Sequence, residues 1–157
     1  MYAAAFCERH PGLRATVLDL PDAVVHGREI VREAGAERVT FVEGDFRTAE
    51  WGDGYDAILL FNVLHNATEA EARAAVARAH AALAPGGRLL IQESEYRDTD
   101  GDLSFTAGFG ELFFFLASGA RTWPEATMRG WMEDAGFGAV RTTRLWIAPA
   151  MVISGTR

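Results

Sequence analysis

The sequence predicts an α/β fold built on a mostly parallel sheet, and three observations carry this prediction. An unbroken apolar run, Ala57–Leu60, lies inside Tyr55–Leu64 and follows the turn-forming stretch Trp51–Tyr55, which is typical of a strand buried on both faces. Strand-like and helix-like segments alternate along most of the chain, as in β-α-β units with helices on both faces of a sheet. Two strand-like segments on either side of Pro149 break this alternation and predict an antiparallel pair at one edge.

The composition predicts one soluble, cytoplasmic domain over residues 1–157. Apolar residues make up 49% of the sequence, which is enough for a core. No run approaches the roughly 20 apolar residues of a membrane span. A net charge of −7 disfavours nucleic acid as a partner, because phosphate binding needs clustered Lys and Arg. The single cysteine, Cys7, excludes an internal disulfide and fits a reducing compartment.

Helix and strand signals alternate in the first third of the chain. Residues 2–9 favour a helix that His10-Pro11-Gly12 ends, and Ala15–Leu20 predicts a strand broken by Pro21 and Asp22. An amphipathic helix is predicted over Ala23–Ala34, with Gly35 as its cap. The residues of this helix expected to face the core are Val24, Val25, Ile30 and Val31.

A second strand is predicted over Val39–Glu43, followed by a loop over 46–54 and the central strand Tyr55–Leu64. Thr68 and Glu71 form a capping-box pattern that begins a helix extending to Leu83. The later predicted elements are a turn over Ala84–Gly87, a strand over Arg88–Ser94, a charged loop over 96–102, helices over Leu103–Ala117 and Met128–Ala135, and strands over Ala139–Trp146 and Met151–Gly155.

His65 and Glu93 are the candidate catalytic pair. His65 directly follows the central strand, and a histidine, with an ordinary pKa of about 6.5, is a usable base near neutral pH. Glu93 lies near the end of the next strand, so we expect it beside His65, where a carboxylate fixes the imidazole tautomer. The alternative for His65 is a loop histidine satisfied by backbone groups. The alternative for Glu93 is an N-terminal loop contact or a solvated edge.

Two further strand ends carry candidate binding residues. Asp19 could accept hydrogen bonds from a ribose diol, or it could simply turn the chain before Pro21. Gly44 permits close approach of a ligand, Asp45 could accept from an adenine amine, and Phe46 could cover the ring. The alternative for this second group is an ordinary turn.

The aromatic-rich segment has two interpretations. Its apolar residues recur at helical spacing, which usually indicates core and less often a pocket for a flat apolar substrate. These residues are Phe105, Phe109, Leu112, Phe113 and Leu116, with Phe114 and Phe115 adding apolar surface on other sides. No metal site is predicted, because His10, His26 and His80 lack clustered partners.

Several motifs, in their order along the chain, resemble those of the S-adenosylmethionine-dependent O-methyltransferases that act on phenols, hydroxyindoles and polyketide hydroxyls. The resemblance covers nearly the whole chain and implies a class I, Rossmann-like methyltransferase fold. The motifs are Arg9–Pro21 with its Asp-Leu-Pro ending, Arg38–Phe46 with its Gly-Asp-Phe ending, Asn62–His65, Ala82–Leu90 and Asp134–Phe137.

The resemblance implies a role for each candidate residue. Asp19 would hold the ribose of S-adenosylmethionine, and Asn62 occupies a position where relatives carry a cofactor-contacting basic residue. Gly44, Asp45 and Phe46 would hold the adenine side. His65 would take the proton from the hydroxyl of a small aromatic or polyketide-like substrate, with Glu93 orienting it, before in-line methyl transfer.

Two departures from the family pattern lie near the proposed base. Asn66 follows His65, where relatives usually have Asp. A second orienting Glu in relatives precedes the last large helix, and here either Glu125 or Thr127 would occupy that position.

A third departure concerns the start of the chain. Relatives carry an N-terminal helical dimerisation domain, then a central first strand and a glycine-rich loop that cradles the cofactor. This sequence begins after them, so we expect a partial domain that lacks the central first strand and has unpaired sheet edges. We expect a homodimer for a full-length form only, and the activity of this chain alone stays open.

Two other functions stay open at this point. One is a non-catalytic remnant or an interaction subunit. The other is a nicotinamide-dependent oxidoreductase, which Asp19 would suit but which lacks a Gly-x-Gly-x-x-Gly fingerprint. The Gly-Asp-Phe motif together with His65 favours the methyltransferase over the oxidoreductase.

Overall fold

The computed structural model describes residues 2–94, 98–99, 102–103, 108–109, 112–113, 115–116, 119, 122–145 and 150–157. The chain divides into two compact units, residues 1–51 and residues 52–157, and each is described here by itself. Among the described residues, no helix has both the length and the apolar character needed to cross a membrane.

The first unit is a two-stranded parallel sheet with two helices. Its elements are α1 (Tyr2–Arg9), β1 (Ala15–Asp19), α2 (Pro21–Glu33) and β2 (Val39–Glu43). Strands β1 and β2 pair in parallel, with Asp19 opposite Glu43, so both strands end at the same edge. The guanidinium of Arg38 donates to the carbonyl oxygens of Cys7, His10 and Leu13, which holds the end of α1 beside the start of β2.

Helix α2 differs from its prediction in its start and in its buried face. It begins at Pro21 itself, because proline is well suited to the first position of a helix. Val24 is buried, but Val25 and Ile30 are 58% and 41% exposed, so the prediction that they face the core is wrong. The helix packs on β2 along one face, where a Cβ on Gly27 would lie 2.7 Å from the ring of Phe41, and the other face stays exposed.

The second unit holds a four-stranded mixed sheet in the order β3-β4-β8-β7. Strands β3 and β4 are parallel, whereas β8 pairs antiparallel with both β4 and β7. This arrangement confirms the predicted antiparallel edge pair. The elements are β3 (Tyr55–Phe61), α3 (Glu69–Ala82), β4 (Leu83–Ser94), β5 (Asp98–Thr99), β6 (Asp102–Leu103), α4 (Glu125–Asp134), β7 (Gly138–Arg144) and β8 (Ala150–Thr156).

Two predicted boundaries, at the end of β3 and at the start of β4, differ from the structure. Strand β3 ends at Phe61 rather than Leu64, because Asn62 adopts a left-handed backbone with φ of 55°. The predicted turn over Ala84–Gly87 lies within β4, where the pairing with β3 shifts register between Tyr55 and Ala57. A Cβ on Gly87 would lie 2.9 Å from two backbone oxygens, so glycine lets the strands approach closely there.

The second half of this unit also departs from prediction in places. The predicted charged loop over 96–102 contains the short antiparallel pair β5–β6, and Leu103 belongs to β6 rather than starting a helix. Helix α4 begins at Glu125, three residues before the predicted start, directly after Pro124. Strand β7 begins at Gly138 and ends at Arg144, while predicted strand residue Trp146 lies outside the described residues.

The core of the second unit lies between the sheet and helices α3 and α4. It does not include the described residues of the aromatic-rich segment. Phe109, Leu112, Phe113 and Leu116 are exposed, while Phe105 and Phe114 lie outside the described residues. Core side chains that are fully buried include Val76, Leu89, Ile91, Met128, Trp131, Met132, Met151 and Ile153.

Candidate active site

A 3₁₀ turn over Leu64–Asn66 carries His65 at the end of β3. The chain enters this turn through the left-handed residue Asn62, whose N–H donates to the carbonyl of Gln92 on β4 at 2.8 Å. Asparagine tolerates this backbone conformation better than most residues. This change of backbone direction places His65 on a turn beside the end of β4, and the predicted strand residues Asn62–Leu64 lead into that turn and begin it.

Glu93 on β4 binds this turn through both carboxylate oxygens. Its Oε1 accepts hydrogen bonds from the backbone N–H groups of Val63 at 3.0 Å and Leu64 at 2.8 Å. Its Oε2 lies 2.7 Å from Nδ1 of His65. Both side chains are buried, at 8% and 3% residue exposure for His65 and Glu93. The predicted adjacency of the two residues is therefore confirmed.

The pairing determines what the imidazole can do. A carboxylate beside Nδ1 favours the tautomer with the proton on Nδ1, which leaves the lone pair on Nε2. The same carboxylate stabilises the imidazolium that forms when Nε2 takes a proton. The arrangement is thus suited to removing a proton from a hydroxyl group.

Trp123 is part of this turn's support and was not singled out by the sequence analysis. Its indole Nε1–H donates to the carbonyl of Leu64 at 2.9 Å, across 59 positions of sequence. Its ring packs edge-on against Trp131 of α4, with centroids 5.0 Å apart. The sequence gives only a general indication of this role, because the N–H of any buried tryptophan usually finds an acceptor.

In the first unit, the four remaining strand-end candidates lie at the carboxyl edge of β1 and β2. The N–H of Gly44 donates to the carbonyl of Asp19 at 2.9 Å, which joins the two strand ends. The Asp19 Oδ1 accepts from the N–H of Leu20 at 2.9 Å. A Cβ on Gly44 would lie 2.7 Å from the Cβ of Ala49, so packing alone already requires glycine there.

Asp45 is held by Arg47. The Arg47 Nη2 donates to Asp45 Oδ2 at 2.6 Å and Nε to Oδ1 at 2.9 Å, and the Arg47 backbone N–H also donates to Oδ1 at 2.9 Å. These side-chain and backbone hydrogen bonds, together with the positive charge of Arg47, hold the pKa of Asp45 below its usual value. The same guanidinium lies 5.8 Å from the ring centroid of Phe46.

Two other expected positions have partners of their own. The side-chain amide of Asn62 exchanges two long hydrogen bonds, each 3.4 Å, with the amide of Gln92. Glu125 accepts a hydrogen bond from Arg144 at 2.7 Å, while Thr127 is half-buried on α4. Across the described part of the chain, no cluster of three potential metal ligands is found.

Comparisons with known proteins give consistent matches. Residues 1–138 match the family described as an O-methyltransferase domain. The 3-hydroxy-5-methyl-1-naphthoate 3-O-methyltransferase of Streptomyces sahachiroi is 32% identical, over 88% of this chain and 40% of that enzyme. The tetracenomycin polyketide synthesis 8-O-methyl transferase TcmO of Streptomyces glaucescens is 34% identical, over 90% of this chain and 42% of that enzyme.

The fold is also similar to that of a solved structure. The crystal structure of the S-adenosylmethionine-dependent methyltransferase SibL matches with a TM-score of 0.86 and 30% identity, over 99% of this chain and 46% of that one. The chain thus has the class I methyltransferase fold and spans about two fifths of the length of the curated relatives it matches.

Proposed function

Because this chain belongs to the O-methyltransferase domain family, whose enzymes use S-adenosylmethionine, we propose that it serves methyl transfer to the hydroxyl oxygen of a small aromatic or polyketide-like molecule. The observation that carries the proposal is the buried contact between His65 and Glu93 at 2.7 Å. The relatives named for naphthoate and tetracenomycin methylation support the substrate class.

The residues at the carboxyl edge of the first unit fit the cofactor. Two carboxylates, Asp19 and Asp45, can accept from the ribose diol and the adenine amine, and Phe46 offers an apolar face for the base. Because Asp45 Oδ2 already accepts a hydrogen bond from Arg47, the adenine amine would share this oxygen with Arg47 or replace it. When bound, S-adenosylmethionine supplies an electrophilic methyl group on a sulfonium.

The protein's own residues would remove the proton from the substrate hydroxyl. His65 would accept the hydroxyl proton at Nε2, while Glu93 holds Nδ1–H and balances the charge of the imidazolium. A phenol with a pKa of about 10 is mostly protonated at pH 7, so such a base is expected to contribute about 10²–10⁴-fold in rate. The burial of both side chains limits the access of water to this exchange.

The test compares His65→Ala with wild type on a panel of hydroxynaphthoates, hydroxybenzoates and polycyclic phenols. Product is measured by mass spectrometry with a deuterated methyl donor, and binding of S-adenosylhomocysteine by calorimetry. We expect methylated product from wild type, a fall of about 10²–10⁴-fold for His65→Ala, and unchanged cofactor binding.

The matched control is His26→Ala, because His26 lies on the exposed face of α2. It should leave methyl transfer unchanged. Cofactor binding with no product on any acceptor would favour the non-catalytic alternative, a methyltransferase-like remnant or interaction subunit. Full methyl transfer by His65→Ala would remove His65 from the mechanism.

A further inference from the structure

We propose that Trp123 is a positioning residue for His65, acting through the carbonyl of Leu64. Only the catalytic role of His65 is taken from the proposed function. The hydrogen bond between Trp123 and Leu64 does not depend on that function. Trp123 is distant in sequence from both His65 and Glu93, yet its indole hydrogen bond ends on the peptide that leads directly into His65.

The peptide groups around Leu64 are held from two sides. On one side, Glu93 Oε1 accepts from the N–H of Leu64 at 2.8 Å. On the other, the Leu64 carbonyl accepts from the indole of Trp123 at 2.9 Å and from the N–H of Ala67 at 3.1 Å, which closes the 3₁₀ turn. A carbonyl oxygen has two lone pairs, so both bonds can form together. The Leu64–His65 peptide is therefore held at its carbonyl by two donors, while Glu93 holds the preceding Val63–Leu64 peptide through the N–H of Leu64.

This peptide plane governs where the imidazole points. Rotation of the plane would move the Cα–Cβ bond of His65 and break the alignment of Nδ1 with Glu93 Oε2. The bond from the Leu64 N–H to Glu93 belongs to the preceding Val63–Leu64 peptide, so it does not by itself fix the Leu64–His65 plane. The indole of Trp123 restrains the Leu64–His65 plane at its carbonyl, and removing the indole N–H leaves this buried carbonyl with the longer turn bond from Ala67.

Trp123 can do this because it is itself fixed. It is 4% exposed, and its ring packs at 71° against Trp131, which is 2% exposed on α4. Pro124 follows Trp123 as the N-cap residue of α4, and a proline at this position disfavours helical conformations at Trp123. The hydrogen bond thus ties the His65 turn to a buried side chain that packs on α4.

The decisive variant replaces Trp123 with 3-benzothienylalanine, in which sulfur stands where the indole N–H was. This side chain keeps the volume and the packing on Trp131 while removing the donor. Trp123→Phe removes the donor and part of the packing, so it serves as a second variant whose fold is checked by circular dichroism.

The primary readout needs neither substrate nor cofactor. Long-range ¹H–¹⁵N spectra of labelled histidine report which ring nitrogen of His65 carries the proton. We expect one dominant Nδ1–H tautomer in wild type and a mixture of tautomers in the sulfur analogue. In methyl transfer, we expect kcat to fall about threefold to tenfold with KM unchanged, as for the loss of one neutral hydrogen bond.

Trp51 offers a matched control, since its indole Nε1 also donates to a backbone carbonyl, that of Phe46, at 2.9 Å in the other unit. The sulfur analogue at position 51 should leave the His65 spectrum unchanged. Identical His65 spectra for wild type and the analogue at 123, or an equal change from the analogue at 51, would overturn the proposal. A tautomer change in a protein without methyl transfer would support Trp123 as a positioning residue while the proposed function fails.

Discussion

The carboxylate of Glu93 and the imidazole of His65 meet at 2.7 Å inside the second unit. The two oxygens of Glu93 have separate tasks, because one holds the backbone of the turn and the other holds the ring. This division allows the two tasks to be separated by mutation.

Glu93→Gln should abolish the proposed base while largely preserving the fold. Its amide oxygen can still accept from Val63 and Leu64, but its NH₂ group would face Nδ1 of His65 and donate to it. His65 would then carry its proton on Nε2, where it cannot accept another. We expect methyl transfer to fall about 10²–10⁴-fold, with the tautomer change visible in ¹⁵N spectra of histidine.

Glu93→Ala separates the structural task. It leaves two backbone N–H groups without their acceptor, so the free energy of unfolding should fall by about 1–3 kcal/mol more than in Glu93→Gln. Glu133→Gln, on the exposed side of α4, is the control and should change neither property. Equal stability of the Ala and Gln variants in urea unfolding would contradict this division of tasks.

The pKa of Asp45 should depend on Arg47. The Arg47 side-chain hydrogen bonds are the first cause of the lowered pKa, so Arg47→Ala should raise the midpoint of Asp45 in a ¹³C carboxyl titration. Part of the lowering should remain, because the backbone N–H of residue 47 still donates to Oδ1. Arg47→Lys keeps the charge without the paired geometry and should give an intermediate midpoint.

The lowered pKa of Asp45 determines how its interaction with Arg47 depends on pH. The interaction is fully present above the ordinary aspartate range and is lost as the pH falls through the lowered pKa of folded Asp45. An unchanged Asp45 midpoint in Arg47→Ala would exclude Arg47 as the cause.

Two glycines should respond to alanine in opposite directions. A Cβ at Gly87 would lie 2.9 Å from the backbone oxygens of Ala84 and Tyr55, so Gly87→Ala must separate β3 from β4 locally. We expect the free energy of unfolding to fall by about 1–3 kcal/mol. Gly130 lies in α4 with open space around it, and Gly130→Ala should raise the same free energy by about 0.5–1 kcal/mol. Urea unfolding measures both, and a shift in the same direction would contradict this reading of the packing.

Thr68 should stabilise α3, the helix that follows the His65 turn. Its Oγ1 accepts from the N–H of Glu71, whose carboxylate accepts from the N–H of Thr68 at 2.8 Å. Thr68→Ala should therefore cost about 1 kcal/mol in unfolding free energy. Thr68→Ser keeps the oxygen and should remain near wild type. A loss of equal size in the serine variant would point to the methyl group instead of the cap.

Many of the elements were predictable because their signals are local. Strand β2 and the capping box of Thr68 and Glu71 match their predictions in full, since alternation and capping depend on residues a few positions apart. Helix α2 shows the limit of such signals. Apolar residues at Val25 and Ile30 indicated burial, but the helix packs on one side only and leaves them exposed.

In the candidate site, too, some features follow from local sequence and others depend on tertiary contacts. The sequence alone placed His65 and Glu93 near the ends of two neighbouring parallel strands, and parallel strands bring their carboxyl ends to one edge of a sheet. It also determined the alternation of elements, the antiparallel final pair and the resemblance that names the family. Tertiary structure decided the left-handed Asn62, the 3₁₀ turn and the bond from Trp123 to Leu64. These features depend on contacts between residues 28 to 59 positions apart, whose energies no local stretch of sequence contains.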